Sequence, residues 1–457
     1  MSKKENNIII SMAILLTTII LTLTISTTYA LPTRCYWNIV KTLNTVSEKL
    51  YKEISKELNI KNIHNTLVLT NVKYITVGGY SLYPLTYYFI LNEFEIPYNL
   101  IPIHSISIEN PWIFTYNNST KYAIFVEFNR TCIYDILKSL CSGEISSRDA
   151  SYRIYNECII KFDKFNFNIS KILYRGLENP NLEWKYITTH TSEDSAFSII
   201  TITTVWSHGA PPELFLAAEL HNHICPGLLS GYLMYRYLIL RKLLKEGYKV
   251  YIIASPVYCK DDVYVQLLDA TPGKRRIVVK LLNWTEQDEI SKILGGNVAG
   301  IVIMYNEHTD SGVAYILAFN WTKVHIYLKK FKISFHGSTW WISRIIADIY
   351  MLKYINNPSY FVKILKIIYF KGHVWRYPSL FYKLGLAGRD PYVVLGVLKI
   401  SKPALKSHKY TPTIVKTSRY VSRYSVSIFI PIVEGIVIAI LIALCSYLYV
   451  KYRSLKR

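Results

Sequence analysis

The sequence predicts an α+β protein with a mixed α/β domain in the middle, an α+β domain before it and one C-terminal transmembrane helix. Three observations lead to this prediction. Segments with helical spacing alternate with short apolar strand patterns over residues 206–330. Helix and strand patterns also mix over residues 31–205. Two long apolar runs lie at the two ends of the chain, where they are typical of a signal and a membrane span.

The first 30 residues have the three parts of a secretory signal. Lys3 and Lys4 precede an apolar run over 8–25, and small residues then lead to Ala30. We therefore expect a signal peptide over 1–30 that directs the chain out of the cytoplasm. Because the apolar run is long, an uncleaved anchor stays open as an alternative.

The C-terminal end predicts a membrane anchor. Residues 426–450 are apolar over a length that exceeds the roughly 20 residues needed to cross a bilayer. The cationic tail 451–457 is typical of the cytoplasmic side. Residues 401–425 hold six Lys or Arg and no acid, which indicates a basic stalk over an anionic surface or, equally, a solvated tether. The expected protein is a single-pass membrane protein whose bulk is extracytoplasmic.

Composition and charge narrow the class of protein. Hydrophobic residues make up 51% of the chain and charged residues 18%, which excludes a disordered chain. The net charge of +22 favours anionic partners such as lipid head groups or an anionic cell envelope. No nucleic-acid-binding motif is visible, and we expect no nucleic-acid partner.

The sequence pattern of the N-terminal domain, 31–205, indicates an α+β domain but does not identify its fold type. Apolar residues with helical spacing predict a helix over 38–58. The remaining predicted elements are strands over 73–77 and 121–128 and helices over 133–140 and 150–162.

Four cysteines of this domain predict disulfides. Cysteine pairs are frequent in exported domains, so we expect at least one disulfide among Cys35, Cys132, Cys141 and Cys158. Three pairings are compatible with the sequence. A second metal site is the alternative, although no close cysteine spacing supports it.

The second domain, 206–330, alternates helices and strands. Its predicted elements are helices over 226–244 and 261–268 and strands over 248–255, 276–282, 298–305 and 313–319. Residues 331–400 are expected to form a mostly helical extension. One α/β layer would result.

Histidine and cysteine alternate at one point of this domain and predict a metal site. His221, His223 and Cys225 would project to one side of an extended backbone. Pro226 suits the first turn of a helix, which would place Cys225 at the helix N-terminus and stabilise its thiolate. Imidazole and thiolate are good ligands for zinc or a similar divalent transition metal.

A second sulfur follows the predicted strand 248–255. Cys259 lies just past the carboxyl end of that strand, where open α/β sheets place ligands, so it could meet Cys225 and His223. We expect these three residues to bind one zinc-like ion, with His221 as a further ligand or as its hydrogen-bonding partner. A Cys225–Cys259 disulfide is the rival interpretation.

These residues resemble the motif F-H-G-H-x-C-P-G-x-x-x-G of the FmdE family, which takes its name from a component of formylmethanofuran dehydrogenase. Leu220 stands for the Phe and Asn222 for the first Gly, while Gly231 matches the last one. The family continues with a strand and C-x-x-D-A-I-Q-x-L-T-G-C-T-P-G, which Cys259 and Asp262 match at its start. The resemblance covers roughly 212–320 and implies an FmdE-like domain with its metal site.

The match is incomplete at one cysteine. Ala270 stands where the family has its second cysteine in this loop, so the site would be one thiolate short. Water in an open coordination position, or a distant residue such as His308 or His336, would complete the set.

We expect a membrane-anchored extracytoplasmic protein at an archaeal cell surface. Its FmdE-like domain is predicted to bind a metal or a small ligand, and redox chemistry is a further option. One alternative is a zinc-dependent enzyme acting on an external small molecule, with Asp262 as candidate general base. The other is an envelope scaffold with a relict site. The family's cytoplasmic pathway does not transfer to an exported chain.

Overall fold

The computed structural model of the chain describes residues 35–91, 99–106, 108–309, 311–371 and 390–398. The predicted signal (1–30), stalk (401–425), membrane span (426–450) and tail (451–457) lie outside the described residues. Within the described ranges, no helix combines the length and the apolarity that crossing a membrane requires.

The first part of the chain forms a five-stranded mixed sheet and a small hairpin. Its strands are β1 (Thr66–Thr70), β2 (Thr76–Val77), β3 (Tyr80–Ser81), β4 (Leu100–Pro102), β5 (Trp112–Asn117), β6 (Tyr122–Phe128) and β7 (Ile159–Asn166). The order in the sheet is β4-β1-β5-β6-β7, and β2 pairs with β3. β1 pairs with β4 in parallel and with β5 antiparallel.

Four helices belong to this part, and three of them cover one face of the sheet. They are α1 (35–57), α2 (Tyr87–Leu91), α3 (Arg130–Ser142) and α4 (Ser147–Glu157). Ile39, Leu43 and Leu50 of α1 pack with Val68 and Val126 of the sheet, because alternate strand residues face the same side. The helical spacing read from the sequence therefore located α1 correctly.

Two predicted elements of this part are corrected. The strand expected at 73–77 is a 3₁₀ turn, Val72–Tyr74, followed by the two-residue β2, and the buried strand β1 precedes it. The helix expected over 150–162 ends at Glu157, and β7 begins two residues later. Apolar residues continue across this junction, so periodicity alone did not show the change.

Four helices link the first sheet to the second. They are α5 (Ile169–Glu178), α6 (Pro180–His190), α7 (Glu193–Ser207) and α8 (Pro212–His221). Leu67 and Leu69 of β1 point away from α1 and pack against this layer, where Ile199 and Ile202 of α7 are fully buried. The domain boundary expected at 205/206 falls inside α7.

The rest of the described chain forms a second five-stranded sheet and its helices. The elements are α9 (Pro226–Leu240), β8 (Lys249–Ala254), α10 (Lys260–Leu267), β9 (Ile277–Val279), α11 (Trp284–Leu294), β10 (Val298–Asn306), β11 (Ser311–Phe319), α12 (Trp321–Lys329), α13 (Trp340–Leu352), β12 (Val362–Lys371) and α14 (Pro391–Val394). The strand order is β12-β11-β10-β8-β9. One face packs on α9, α12 and α13, and the other on α11 and α14.

The extension 331–400 is not mostly helical where it is described. It contains α13 but also β12, which pairs antiparallel with β11 along its whole length. The sheet of the second domain therefore continues to Lys371, beyond the expected boundary at 330. Lys363, Lys366 and Lys371 of β12 are all exposed.

The two sheets have the same strand order and the same strand directions. β8 pairs with β9 in parallel and with β10 antiparallel, as β1 does with β4 and β5. A helix precedes the first strand of each sheet, and two helices join its last two strands. We call residues 35–166 the first copy and residues 226–371 the second copy.

Short sequence matches occur at equivalent places of the two copies. Tyr-Asn-x-x-Thr spans the end of β5 and the turn after it at 116–120, and the end of β10 and the turn after it at 305–309. Phe-Asn-x-Thr recurs at 128–131 and 319–322. Asn129 and Asn320 each cap the following helix by accepting a hydrogen bond from the backbone N–H three residues on. The N-terminal domain, which sequence patterns left without a fold type, thus repeats the topology of the second domain.

Two disulfides hold the helices of the first copy. Cys35 at the start of α1 is bonded to Cys141 in α3, and Cys132 is bonded to Cys158, with Cα–Cα distances of 5.1 and 5.4 Å. The prediction of at least one disulfide is confirmed. Cys225, which directly precedes the second copy, and Cys259 within it are both free thiols in this structure.

Candidate metal centre

A sharp reversal of the chain at Asn222 brings His221 and Cys225 together. His221 is the last residue of α8, and Asn222 has a left-handed backbone with φ 62°. Cys225 then caps α9, and its Sγ accepts a hydrogen bond from the N–H of Leu228 at 3.5 Å. The extended backbone expected over 221–225 is therefore wrong, since a helix end and a left-handed residue replace it.

Two glycines of α9 bring Cys259 to the same place. Cys259 follows β8 and stands at the start of α10, as predicted. A Cβ on Gly227 would lie 2.9 Å from the Cβ of Cys259, and one on Gly231 would lie 2.7 Å from the Cα of Lys260. Both distances are shorter than side chains tolerate, so α9 packs this closely against α10 only because these positions are glycine.

Three donor atoms meet at this junction. One side-chain nitrogen of His221 and the sulfurs of Cys225 and Cys259 all lie within 4.8 Å of one another, and Nε2 of His221 is 3.7 Å from Sγ of Cys225. Two ligands of a tetrahedral zinc ion lie about 3.5–3.8 Å apart, because Zn–N and Zn–S bonds are about 2.1 and 2.3 Å long. The donor set therefore fits such an ion with small side-chain movements. Within the described ranges, no other group of His, Cys, Asp or Glu has this spacing.

Asp262 fixes the orientation of the His221 ring. Its Oδ2 lies 2.6 Å from Nδ1 of His221, which leaves Nε2 for the sulfur side. Histidines that bind metals usually donate their second N–H to a carboxylate in this way. The sequence singled out Asp262 as a candidate general base, whereas the structure engages its carboxylate with His221 and makes it a positioning residue.

Hydrogen bonds within the cluster shift the pKa values of its three residues in different directions. The thiol of Cys225 and the ring of His221 lower the pKa of Cys259 to about 4. Burial alone would lower the pKa of His221, but its hydrogen bonds to Asp262 and Cys259 outweigh burial and raise that pKa to about 9. Hydrogen bonding to Cys259, together with burial, raises the pKa of Cys225 well above its usual range. At neutral pH the metal-free cluster thus holds a Cys259 thiolate beside a His221 imidazolium.

His223 lies beside the cluster without joining its three donor atoms. Its ring packs on Phe197 and on His221, with centroid distances of 4.9 and 4.4 Å, and its Nδ1 is 2.6 Å from Oδ1 of Asn222. Burial, together with the charges of His221 and Arg344, lowers the pKa of His223 to about 3. In the structure the nitrogen donor beside the two sulfurs is that of His221. The sequence pattern had assigned that position first to His223.

The residues considered as a fourth ligand lie elsewhere. His308 is exposed in the turn after β10, and His336 is exposed before α13; neither belongs to the group of three donors. Ala270 is buried past the far end of α10, and an eight-residue helix separates its two ends by about 12 Å. A cysteine at position 270 would therefore be remote from Cys259.

Sequence reasoning missed one buried acid near the site. Asp348 of α13 is fully buried, and neither of its carboxylate oxygens has a hydrogen-bond partner among the described residues. Burial raises the pKa of Asp348 well above its usual range, and a charge there would raise the pKa of Cys225. The available signal was a single acid in α13, a helix whose sequence is mostly apolar apart from Ser343 and Arg344.

Comparison with known families agrees with this location. The sequence model of the family FmdE, described as molybdenum formylmethanofuran dehydrogenase operon, matches residues 220–334. This segment contains all the candidate site residues, from His221 to Asp262, and it is an FmdE-family domain within a longer chain. No curated protein matches the chain.

Proposed function

We propose that this chain is a membrane-anchored, extracytoplasmic metal-binding protein in which His221, Cys225 and Cys259 bind one zinc-like ion. The meeting of the three donor atoms within 4.8 Å carries the proposal. One imidazole nitrogen and two sulfurs suit zinc better than a hard cation such as magnesium. Three protein ligands leave a fourth position of a tetrahedral ion for water or a small ligand, and an ion bound in this way would supply Lewis acidity there.

The proposed location outside the cytoplasm has separate support. Residues 1–30 have the pattern of a signal, and 426–450 have the length of a membrane span. The two disulfides of the first copy are typical of an oxidising compartment. In such a compartment a bound metal would keep Cys225 and Cys259 from pairing. The basic stalk would lie over anionic lipid at what we propose to be an archaeal surface.

A zinc-dependent enzyme on an external small molecule is the second candidate. A set of only three protein ligands favours it, because catalytic zinc sites keep one position open while structural sites use four ligands. Asp262 was the general base first considered for that chemistry, but its carboxylate is engaged with His221. A redox role for the two thiols would require that they form a disulfide reversibly.

The decisive measurement is the metal content of the full chain purified in detergent under reducing conditions. We expect one zinc-like ion per chain by elemental analysis, and its loss in Cys225→Ser and His221→Ala. His336→Ala is the matched control, because it removes an exposed histidine outside the cluster. The metal proposal would fail if the wild-type protein contained no metal and if material purified without reductant contained a Cys225–Cys259 disulfide. A redox or structural role would then replace it.

A further inference from the structure

Six asparagines of the chain stand in the triplet Asn-x-Ser/Thr, with x other than proline, which is the acceptor signal for N-linked glycans. They are Asn117, Asn118, Asn129, Asn168, Asn283 and Asn320. Exported chains are the ones that receive such glycans, so this inference rests on the extracytoplasmic location proposed above. Such triplets also occur by chance, and the surroundings of each asparagine in the folded chain decide which of them a glycan can occupy.

Burial keeps four of these asparagines wholly or partly away from the surface. Asn117 is 3% exposed, and its Nδ2, the atom that would carry the glycan, donates a hydrogen bond to the carbonyl of Leu58 at 3.0 Å. A glycan there would replace this hydrogen bond by a bulky polar group inside the fold, so the folded chain excludes it. Asn118, Asn129 and Asn168 are half-buried.

The other two asparagines present the amide nitrogen to solvent. Asn283 and Asn320 are exposed, and so are Thr285 and Thr322, the hydroxyl residues of their triplets. Oδ1 of each asparagine accepts a hydrogen bond from the backbone N–H three residues on, at 2.9 and 3.4 Å. Because Oδ1 faces the helix that it caps, Nδ2 lies on the side of the amide that faces away from this hydrogen bond. A glycan on Nδ2 would therefore leave the cap intact.

Helix capping explains the asparagines but not the hydroxyl residues that follow them. Among the described α-helices, α3, α5, α6, α11 and α12 begin after an asparagine cap. Each of these caps bonds the backbone N–H of the third residue on, so none of them needs a hydroxyl at the second. Ser or Thr nevertheless stands at the second residue in every case except that of α6. An acceptor signal explains the asparagine and the hydroxyl together.

An exposed tryptophan beside Asn283 is a second, independent observation. Trp284 is 83% exposed, which makes it the most exposed large hydrophobic side chain in the described part of the chain. Its contact with water is unfavourable, and the apolar face of a sugar ring on Asn283 would cover it. Trp321 stands at the same place after Asn320 but packs on Phe319, with a centroid distance of 4.8 Å.

We propose that Asn283 and Asn320 carry N-linked glycans, added by a transferase that uses a lipid-linked oligosaccharide. In this reaction the anomeric carbon of the first sugar forms a bond with Nδ2 of the asparagine. The bond between that carbon and the phosphate oxygen of the lipid carrier breaks. The amide loses one proton, which ends on the released lipid phosphate. The modification goes beyond the proposed metal binding and does not require that the metal be present.

Mass spectrometry of the full chain, purified in detergent from its own cells, tests the proposal. The tryptic peptide 281–292 contains one acceptor triplet, and its mass should rise by whole sugar residues on Asn283. Thr285→Ala keeps Asn283 as the helix cap and should lose the added mass completely. Thr285→Ser keeps the triplet and should keep the added mass. Asn117 should be unmodified in all three proteins.

The outcomes separate this proposal from the proposed function. If protease reaches the chain from outside intact cells but Asn283 or Asn320 is unmodified, the assignment of that asparagine is overturned and the extracytoplasmic location stands. If protease cannot reach the chain and both asparagines are unmodified, the location and the glycans fail together. Sugar retained in Thr285→Ala would also overturn the assignment. Thr285→Ala should keep its metal, because Thr285 lies outside the three-donor cluster.

Discussion

Nδ1 of His221 lies 2.6 Å from Oδ2 of Asp262, and this contact decides which ring nitrogen faces the cysteines. Asp262 is in the first turn of α10, three residues after Cys259, whereas His221 ends α8. One helix start therefore supplies both a sulfur donor and the carboxylate that orients the imidazole. The spacing C-x-x-D in the sequence is explained by this double role.

The first prediction concerns Asp262→Asn. Loss of the carboxylate should lower zinc affinity about 10- to 100-fold, as is typical when a partner of a metal-binding histidine is removed. Competition with a chromophoric chelator measures the affinity. Asp269→Asn is the control, because Asp269 is an exposed acid paired with Lys274 and Arg276. An unchanged affinity in Asp262→Asn would mean that His221 does not bind the ion through Nε2.

The second prediction concerns the packing of α9 on α10. Gly231→Ala would place a Cβ 2.7 Å from the Cα of Lys260, and overpacking of this kind costs about 1–3 kcal/mol of unfolding free energy. The helices must separate, so metal content should fall as well. Gly273→Ala is the control, since its Cβ would meet nothing within 4 Å. Denaturant unfolding and elemental analysis together check the result, and wild-type stability in Gly231→Ala would contradict this explanation of the motif.

The sequence alone located much of the site because its chemistry depends on adjacent residues. Cys225 before Pro226, and Cys259 after an apolar strand, were sufficient to predict one helix start and one sheet edge. The choice between His221 and His223 was not predictable, because it depends on the left-handed backbone of Asn222. Most residues avoid that conformation, although asparagine is among those that tolerate it.

Long-range pairing explains what the sequence could not show of the fold. Strand β12 was hidden in a segment expected to be helical, since only its ladder with β11 establishes it as part of the sheet. The relation between the two copies was hidden for the same reason. The shared motifs of four and five residues are too short to be recognised before the two sheets are compared.

The third prediction concerns disulfide connectivity. Peptide mapping by mass spectrometry without reductant should find Cys35 linked to Cys141 and Cys132 linked to Cys158. Replacing both Cys132 and Cys158 by Ser should lower the free energy of unfolding by about 3 kcal/mol, because the 26-residue loop is then free in the unfolded chain. Any other pairing, or four free thiols in quenched native protein, would contradict the structure.

The fourth prediction concerns topology. Protease added to intact cells should digest the region 31–425 and spare the cationic tail 451–457, because the apolar run 426–450 is expected to cross the membrane. Antibodies to the two regions would follow the fragments. Complete protection of 31–425, in cells whose envelope admits the protease, would place the bulk of the chain in the cytoplasm.

The last prediction concerns the protons that the metal displaces. In the metal-free protein between pH 5 and 8, Cys259 is already a thiolate, because its pKa is about 4. His221 still carries its extra proton, because its pKa is about 9, and the raised pKa of Cys225 keeps that residue a thiol. Binding through all three donors must therefore release two protons, one from His221 and one from Cys225.

The sign of the pH dependence follows from this count. Acidification opposes proton release, so zinc affinity should fall about 100-fold for each pH unit lowered between pH 8 and 5. Calorimetry in buffers of different ionisation enthalpy should give two protons per ion for the wild type. His336→Ala should also release two, since this histidine lies outside the cluster. Release of one proton or none would show that His221 or Cys225 is not a ligand.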